Sequence, residues 1–147
     1  MNFRLRPMNE NDIELTFKWR NDPLVRNNAQ SVQEISLNEH AAWVKFNNSV
    51  KLIFEVDDIP AGFISVTRDP ENNSGEWAFH MAPDMRGQGL SELMLKAALY
   101  YLAKKEGYDT IYSTVRVYNV LSKHLHEKLE FSKCGEDEEY IKYIFYL

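Results

Sequence analysis

Cysteine is almost absent: Cys134 is the only one among 147 residues. A lone thiol has no disulfide partner and no second half of a CxxC pair, so neither a disulfide framework nor a zinc or other metal site is expected, and a reducing cytoplasm fits best. Long apolar runs are missing as well. No stretch approaches the ~20 residues of a bilayer-crossing helix, and the N-terminus leads directly into patterned sequence, so neither export nor a membrane anchor is expected. Positive charge is in deficit, with 17 Lys and Arg against 22 Asp and Glu, a net charge of −5. That removes the simplest electrostatic ground for nucleic acid or an anionic membrane as a partner and leaves room for a local basic pocket. Repeats, low-complexity tracts and long linkers are also lacking. The chain, 44% apolar and 27% charged, reads as one globular domain over 1–147 that buries a core without staples.

What is present is ordered by periodicity. Phe3 and Leu5 suggest a first strand, after which Asn9 or Asn11 caps a helix bearing Ile13, Leu15, Phe17 and Trp19, ended by Asn21-Asp22-Pro23. Ser36 with Glu39 has capping-box spacing and opens a second helix through Ala42, Trp43 and Phe46, closed by Asn47-Asn48. Lys51 to Val56, Ala61 to Thr67 and Glu76 to Met81 read as an antiparallel meander. Leu90, Leu93, Met94, Ala97, Ala98, Tyr101 and Leu102 keep helical spacing until Gly107, and Ile111, Ser113, Val115 and Val117 alternate as a strand. Asn119 caps a last helix with Leu121, Leu125 and Leu129, a short strand at Phe131 to Lys133 follows, and Tyr140 to Leu147 closes the chain as a strand. The order implies an α+β domain with a mixed, mostly antiparallel sheet, in which strands 76–82 and 110–117 are joined by a crossover and are candidates for a parallel pair.

Chemistry is densest at Met81-Ala82-Pro83-Asp84-Met85-Arg86-Gly87-Gln88-Gly89-Leu90-Ser91, where a strand passes through glycines into the strongest helix. Amides at 86 to 91 would lack intrahelical acceptors and converge on one point, where the helix dipole favours an anion. No Gly-Lys-Ser/Thr follows and the third glycine of GxGxxG is absent, which disfavours a P-loop and a dinucleotide fold. Two glycines before a helix also make an ordinary turn. Arg86 to Ser91 resembles the pyrophosphate loop of the GNAT N-acetyltransferase superfamily, Arg/Gln-x-x-Gly-x-Gly/Ala, with serine in the last place. Asn119 to Phe131 resembles that superfamily's second block, Asn-x-x-(Ala/Ser)-x-x-Leu-Tyr-x-x-x-Gly-Phe, with His126 at the tyrosine and Glu130 at the glycine. The resemblance implies a central sheet flanked by about four helices and splayed between 76–82 and 110–117, acetyl-CoA as co-substrate, and direct attack of an amine on the thioester. CoA contacts then fall to Met81, Arg86, Gly87, Gln88, Gly89, Leu90, Ser91, Asn119 and Ser122.

The same resemblance implies that His126 protonates the departing thiolate, although a histidine at helical spacing can equally be packed. A base must deprotonate the amine before attack. Glu76 and His80 share one face of their strand, and either can take the proton, with Glu76 the first choice because carboxylates on this strand often do so in GNAT enzymes. Trp19-Arg20-Asn21…Val25-Arg26 and Ile35-Ser36…Glu39-His40…Trp43 resemble a signature of acyltransferases acting on nucleotide-linked amino sugars, the pseudaminic-acid pathway branch. Arg20, Arg26 and His40 would then meet a diphosphate, and Trp19 or Trp43 a ring; alternatively the tryptophans anchor the core and the arginines bind carbonyls or solvent. The open alternatives are a GNAT enzyme for a peptide N-terminus, polyamine or drug amine, and a non-enzymatic CoA-binding module. A monomer or homodimer without nucleic-acid or membrane partners is expected.

Overall fold

The computed structural model describes residues 1–29, 33–45 and 49–147. Its elements run β1 (Phe3–Pro7), a 3-10 turn at Glu10–Asp12, α1 (Ile13–Asn21), α2 (Pro23–Asn28), α3 (Leu37–Val44), β2 (Ser49–Val56), β3 (Ile59–Arg68) and β4 (Ser74–Met81). After a 3-10 turn at Pro83–Met85 come α4 (Leu90–Lys104), β5 (Thr110–Arg116), α5 (Val120–Lys128), β6 (Ser132–Glu136) and β7 (Tyr140–Tyr146). The seven strands form one α+β sheet in the order β1-β2-β3-β4-β5-β7-β6, in which only β4 and β5 pair in parallel. Among the described residues five helices occur where about four were expected. The addition is α2: Asp22 caps it and Pro23 occupies its first turn, so Asp-Pro ends one helix and starts the next. Phe46, Asn47 and Asn48, expected to end the second helix, lie outside the described residues.

Each face of the sheet has its own packing. On one, Met94, Leu95, Ala98 and Leu102 of α4 pack on Ile64, Val66, Trp77, Ile111, Val115, Ile141 and Tyr143. The periodicity of α4 is what seats it there. Gly62 of β3 permits the close approach, since a Cβ at that position would stand 2.6 Å from the Met94 sulfur. On the other face, Trp19 joins Ile53, Phe63 and Ala82 in a smaller cluster under α1. At the sheet's edge the Glu55 carboxylate accepts from Arg4 and Arg6, and Arg6 also grips Asp12, the acid of the capping box begun by Asn9. Burial works to raise the Asp12 and Glu55 carboxyls, but these guanidinium contacts hold both below the usual carboxylate range.

Two local conformations matter at the site. The C-terminus of α5 closes in a Schellman arrangement, with Phe131 N–H donating to the His126 carbonyl and Glu130 N–H to that of Glu127. This forces Glu130 to φ 69°, the left-handed region that glycine would occupy freely. β4 and β5 pair from Ser74↔Thr110 only as far as Trp77↔Ser113, although β4 continues to Met81 and β5 to Arg116. The sheet is split along those last turns of strand.

Candidate active site

The glycine loop borders the split. Gly87 and Gly89 have φ of 75° and 71°, and a Cβ built at either meets nothing within 4 Å, so the backbone faces open space. Among the described residues none of the backbone hydrogen bonds outside the regular elements is donated by residues 86 to 91, and the first amides of α4 have no intrahelical acceptor. These groups suit the pyrophosphate of a CoA thioester: polar donors, a helix start and no side chain in front. Arg86 does not lie free beside them. Its guanidinium donates to Asp22 Oδ1 at 2.9 Å, tying the loop to the start of α2.

Glu76, Ala78 and His80 of β4 share the face carrying α1, and Trp77 and Phe79 point to the α4 and α5 side. Ala78 is exposed in a central strand, which marks an open floor where the strands part. Glu76 is half-buried at the edge of the split and accepts from Thr114 Oγ1 at 2.6 Å; Thr114, from β5, was not anticipated, although the alternation of β5 already put it opposite the core-facing Ser113 and Val115. A carboxylate so held, with solvent access, can take a proton. His80 is different. Its ring packs against Trp19 and Phe63, Nε2 is buried with no hydrogen-bond partner among the described residues, and burial, reinforced by Arg20, pushes it down to about 3. An unpartnered, buried Nε2 disfavours the protonated ring, so the surroundings of His80 speak against its expected role as an alternative base.

His126 is also corrected. It is 0% exposed, stacked on Tyr143 and bordered by Trp77, Phe79 and Phe131. Nδ1–H donates to the Ser122 carbonyl at 2.7 Å, while Nε2 accepts from the Trp77 indole at 3.2 Å, which fixes the neutral tautomer. Burial lowers its basicity further. With both nitrogens committed inside the core, the ring has no proton to give a thiolate. Asn119 caps α5 by accepting from Ser122 N–H, and Ser122 Oγ lies 3.4 Å from His126 Nδ1; both stand at the helix start beside the end of β5. Met81 is buried in the large core.

The expected acceptor residues separate. Trp19 is 5% exposed, a core anchor rather than a stacking platform. His40 is 3% exposed and bonded to Thr16 Oγ1 at 2.8 Å; Thr16 gives its proton to the Asp12 carbonyl, so His40 Nε2–H is the donor. Burial and nearby Arg20 keep His40 neutral, so it adds no positive charge for a diphosphate. Trp43 is 38% exposed but stacks on His40 above Phe63 of β3 and Lys51 of β2, off the two strands that part. Arg20, Arg26 and Asp22 do gather near the site: Arg20 is half-buried between Arg26 and His80, and Arg26 Nε donates to the Asn21 carbonyl while its guanidinium stands 3.7 Å from Glu34. Asn21 itself clamps Ile35 through both its N–H and C=O, which gives the Trp-Arg-Asn block a structural duty. Arg116 and Tyr118, also unanticipated, donate to the carbonyls of Ala29 and Asn27. A groove of about 820 Å³ leads from Glu76 away from the glycine loop, past Thr67, Asp69, Asp109, Tyr112 and Lys142. Among the described residues no helix is long and apolar enough to cross a membrane.

Comparison with known proteins identifies the family. Residues 2–132 match the acetyltransferase (GNAT) domain. The acetyltransferase PseH of Campylobacter jejuni is 25% identical over 140 residues, covering 90% of this chain and 85% of that protein. Its crystal structure has a TM-score of 0.76 at 18% identity, covering 98% of this chain and 97% of that one. The spermidine N-acetyltransferase of Vibrio cholerae, solved with CoA and spermine, reaches a TM-score of 0.87 at 18% identity, covering 98% and 95%. At these identities the structural likenesses establish the fold alone, whereas the domain match spans most of the chain. The chain belongs to the GNAT acetyltransferase domain family and is an N-acetyltransferase.

Proposed function

We propose that the enzyme transfers acetyl from acetyl-CoA to the amine of an amino sugar carried on a nucleoside diphosphate. The observation that carries the acceptor reading is the gathering of Arg20, Arg26, Arg86 and Arg116 around α2 in a protein of net charge −5. The sequence relationship to PseH supports the same branch. In this reading acetyl-CoA lays its pyrophosphate on the amides of 86 to 91, with Asn119 and Ser122 beside the split, and its thioester enters between β4 and β5. Glu76 accepts the amine proton, directly or through a water, and Thr114 holds the carboxylate in place. The amine nitrogen then bonds to the thioester carbon, collapse of the tetrahedral adduct breaks the C–S bond, and the nitrogen gives its surplus proton to solvent to leave the neutral amide. The CoA thiolate leaves with the C–S bonding pair and takes its proton from solvent, so this reading requires no buried histidine.

The second reading is a polyamine acceptor. The groove past Asp69, Glu76 and Asp109 has the carboxylates for a cationic chain, and the V. cholerae enzyme shares the fold closely. Free-CoA release measured with nucleotide-linked amino sugars, spermidine and N-terminal peptides decides. Efficient transfer to a sugar nucleotide, with a raised acceptor KM on Arg20→Gln and little change in acetyl-CoA affinity, is the expected result. Transfer to spermidine or a peptide alone overturns the sugar reading, and no acceptor-dependent CoA release from any of them overturns the amine panel as a whole.

A further inference from the structure

We propose that α2 is a strap tied to both lips of the β4–β5 split, and that Asp22 is the residue that positions it against the glycine loop. This rests on the acetyl-transfer reading above. A helix of six residues is too short to be stable by itself, and α2 buries none of its side chains, so apolar packing does not hold it. Polar ties do. At its start, Asp22 Oδ1 accepts both the Leu24 N–H at 3.1 Å and the Arg86 guanidinium at 2.9 Å. At its end, carbonyls without helical partners are taken up by Tyr118, which donates to Asn27, and by Arg116, which donates to Ala29 at 2.7 Å. Arg86 follows β4, Arg116 ends β5 and Tyr118 stands in the turn after it. These are the two strands whose pairing stops at Trp77↔Ser113.

The helix therefore reaches from one side of the opening to the other, on the face where Ala78 lies exposed between Glu76 and His80. An acceptor that reaches Glu76 through the opening meets α2, and the room above Ala78 depends on where the strap is held. Because the loop-side tie comes from Arg86, within the segment read as the pyrophosphate site, the placement of α2 is linked to the donor side without α2 touching the donor itself.

Asp22→Asn isolates the tie, because asparagine caps a helix as well as aspartate does but carries no charge for Arg86. Tyr118→Phe releases the other end. In the free protein, amide exchange at 24 to 28 should quicken in each variant. With the acceptor found in the panel, each should raise the acceptor KM by roughly two- to fivefold while acetyl-CoA affinity stays within about twofold. The double variant should be no worse than the more severe single, because a strap released at one end has already lost its position. Unchanged exchange at 24 to 28, multiplication of the two KM effects, or a parallel loss of acetyl-CoA affinity would each overturn the proposal. Should no acceptor in the panel be acetylated, the functional reading fails, and exchange at 24 to 28 still decides whether the strap exists.

Discussion

On the α4 and α5 side of the sheet, His126 sits without exposure among Trp77, Phe79, Phe131 and Tyr143, both ring nitrogens engaged. On the α1 side, Glu76 keeps solvent access and accepts one hydroxyl, beside an exposed Ala78. Both residues were expected to move protons. The difference shows that a family motif carries over a position in the fold, whereas the role there depends on what surrounds the side chain. Where the tyrosine of the family pattern is replaced by histidine, the imidazole bridges the Trp77 indole and the Ser122 carbonyl and becomes part of the core.

The sharpest way to break this contrast is to remove one residue from each face. Glu76→Gln keeps the shape of the side chain and its acceptor oxygen for Thr114 but cannot hold the amine proton, so turnover should fall by about 10² to 10⁴ with acetyl-CoA affinity unchanged by calorimetry. Near-normal turnover would return Glu76 to a structural part of the sheet. His126→Ala should do the reverse. It leaves a cavity and an orphaned Trp77 N–H, and should cost about 2–4 kcal/mol in denaturant unfolding while turnover per folded molecule stays close to the parent's. A large loss of turnover in a stably folded His126→Ala protein would restore the acid role.

A finer distinction comes from pH. His80 is held near 3 in the folded protein against roughly 6.5 unfolded, so the unfolded chain binds the extra proton first. Its contribution to stability is complete above pH 6.5 and is lost progressively as pH falls from 6.5 toward 3. His126 and His40, also lowered by burial, act in the same direction. Asp12 and Glu55 add their losses only at lower pH, below the ordinary carboxylate range. His80→Gln should therefore flatten the stability curve by about 1–2 kcal/mol between pH 7 and 5, measured by denaturant midpoints across that range. An unchanged curve would mean that His80 becomes protonated in the folded state more readily than its surroundings suggest.

The parts legible in the sequence were those written by local repetition. The strands of the meander and the long run from Leu90 to Leu102 declare their faces through alternation or helical spacing, and the glycines ahead of α4 mark the loop. α2 escaped because six residues are too few for a period, and because Asp22-Pro23 ends one helix as readily as it starts the next. The burial of His126 has no local sign either: the residues enclosing it come from β4, β7 and the turn after α5. The Asp22–Arg86 tie joins positions 64 apart, and only the fold brings them together. For Trp19 the sequence left both a ligand-stacking and a core role open, since an aromatic ring suits a ligand and a helix-to-sheet contact equally well, and His40 is buried for the same reason.

Gly62 gives the aim of the glycine loop a distant dependency. The residue lies on β3, opposite Met81, and its missing side chain is what lets the Met94 turn of α4 rest on the sheet. A methyl there would press on the thioethers of Met94 and Met81, and the Met94 side chain would have to swing aside one turn from the amides that open α4. In a survey of mutations, tolerance at Gly62 would then track the size of residue 94 rather than anything in the catalytic cleft.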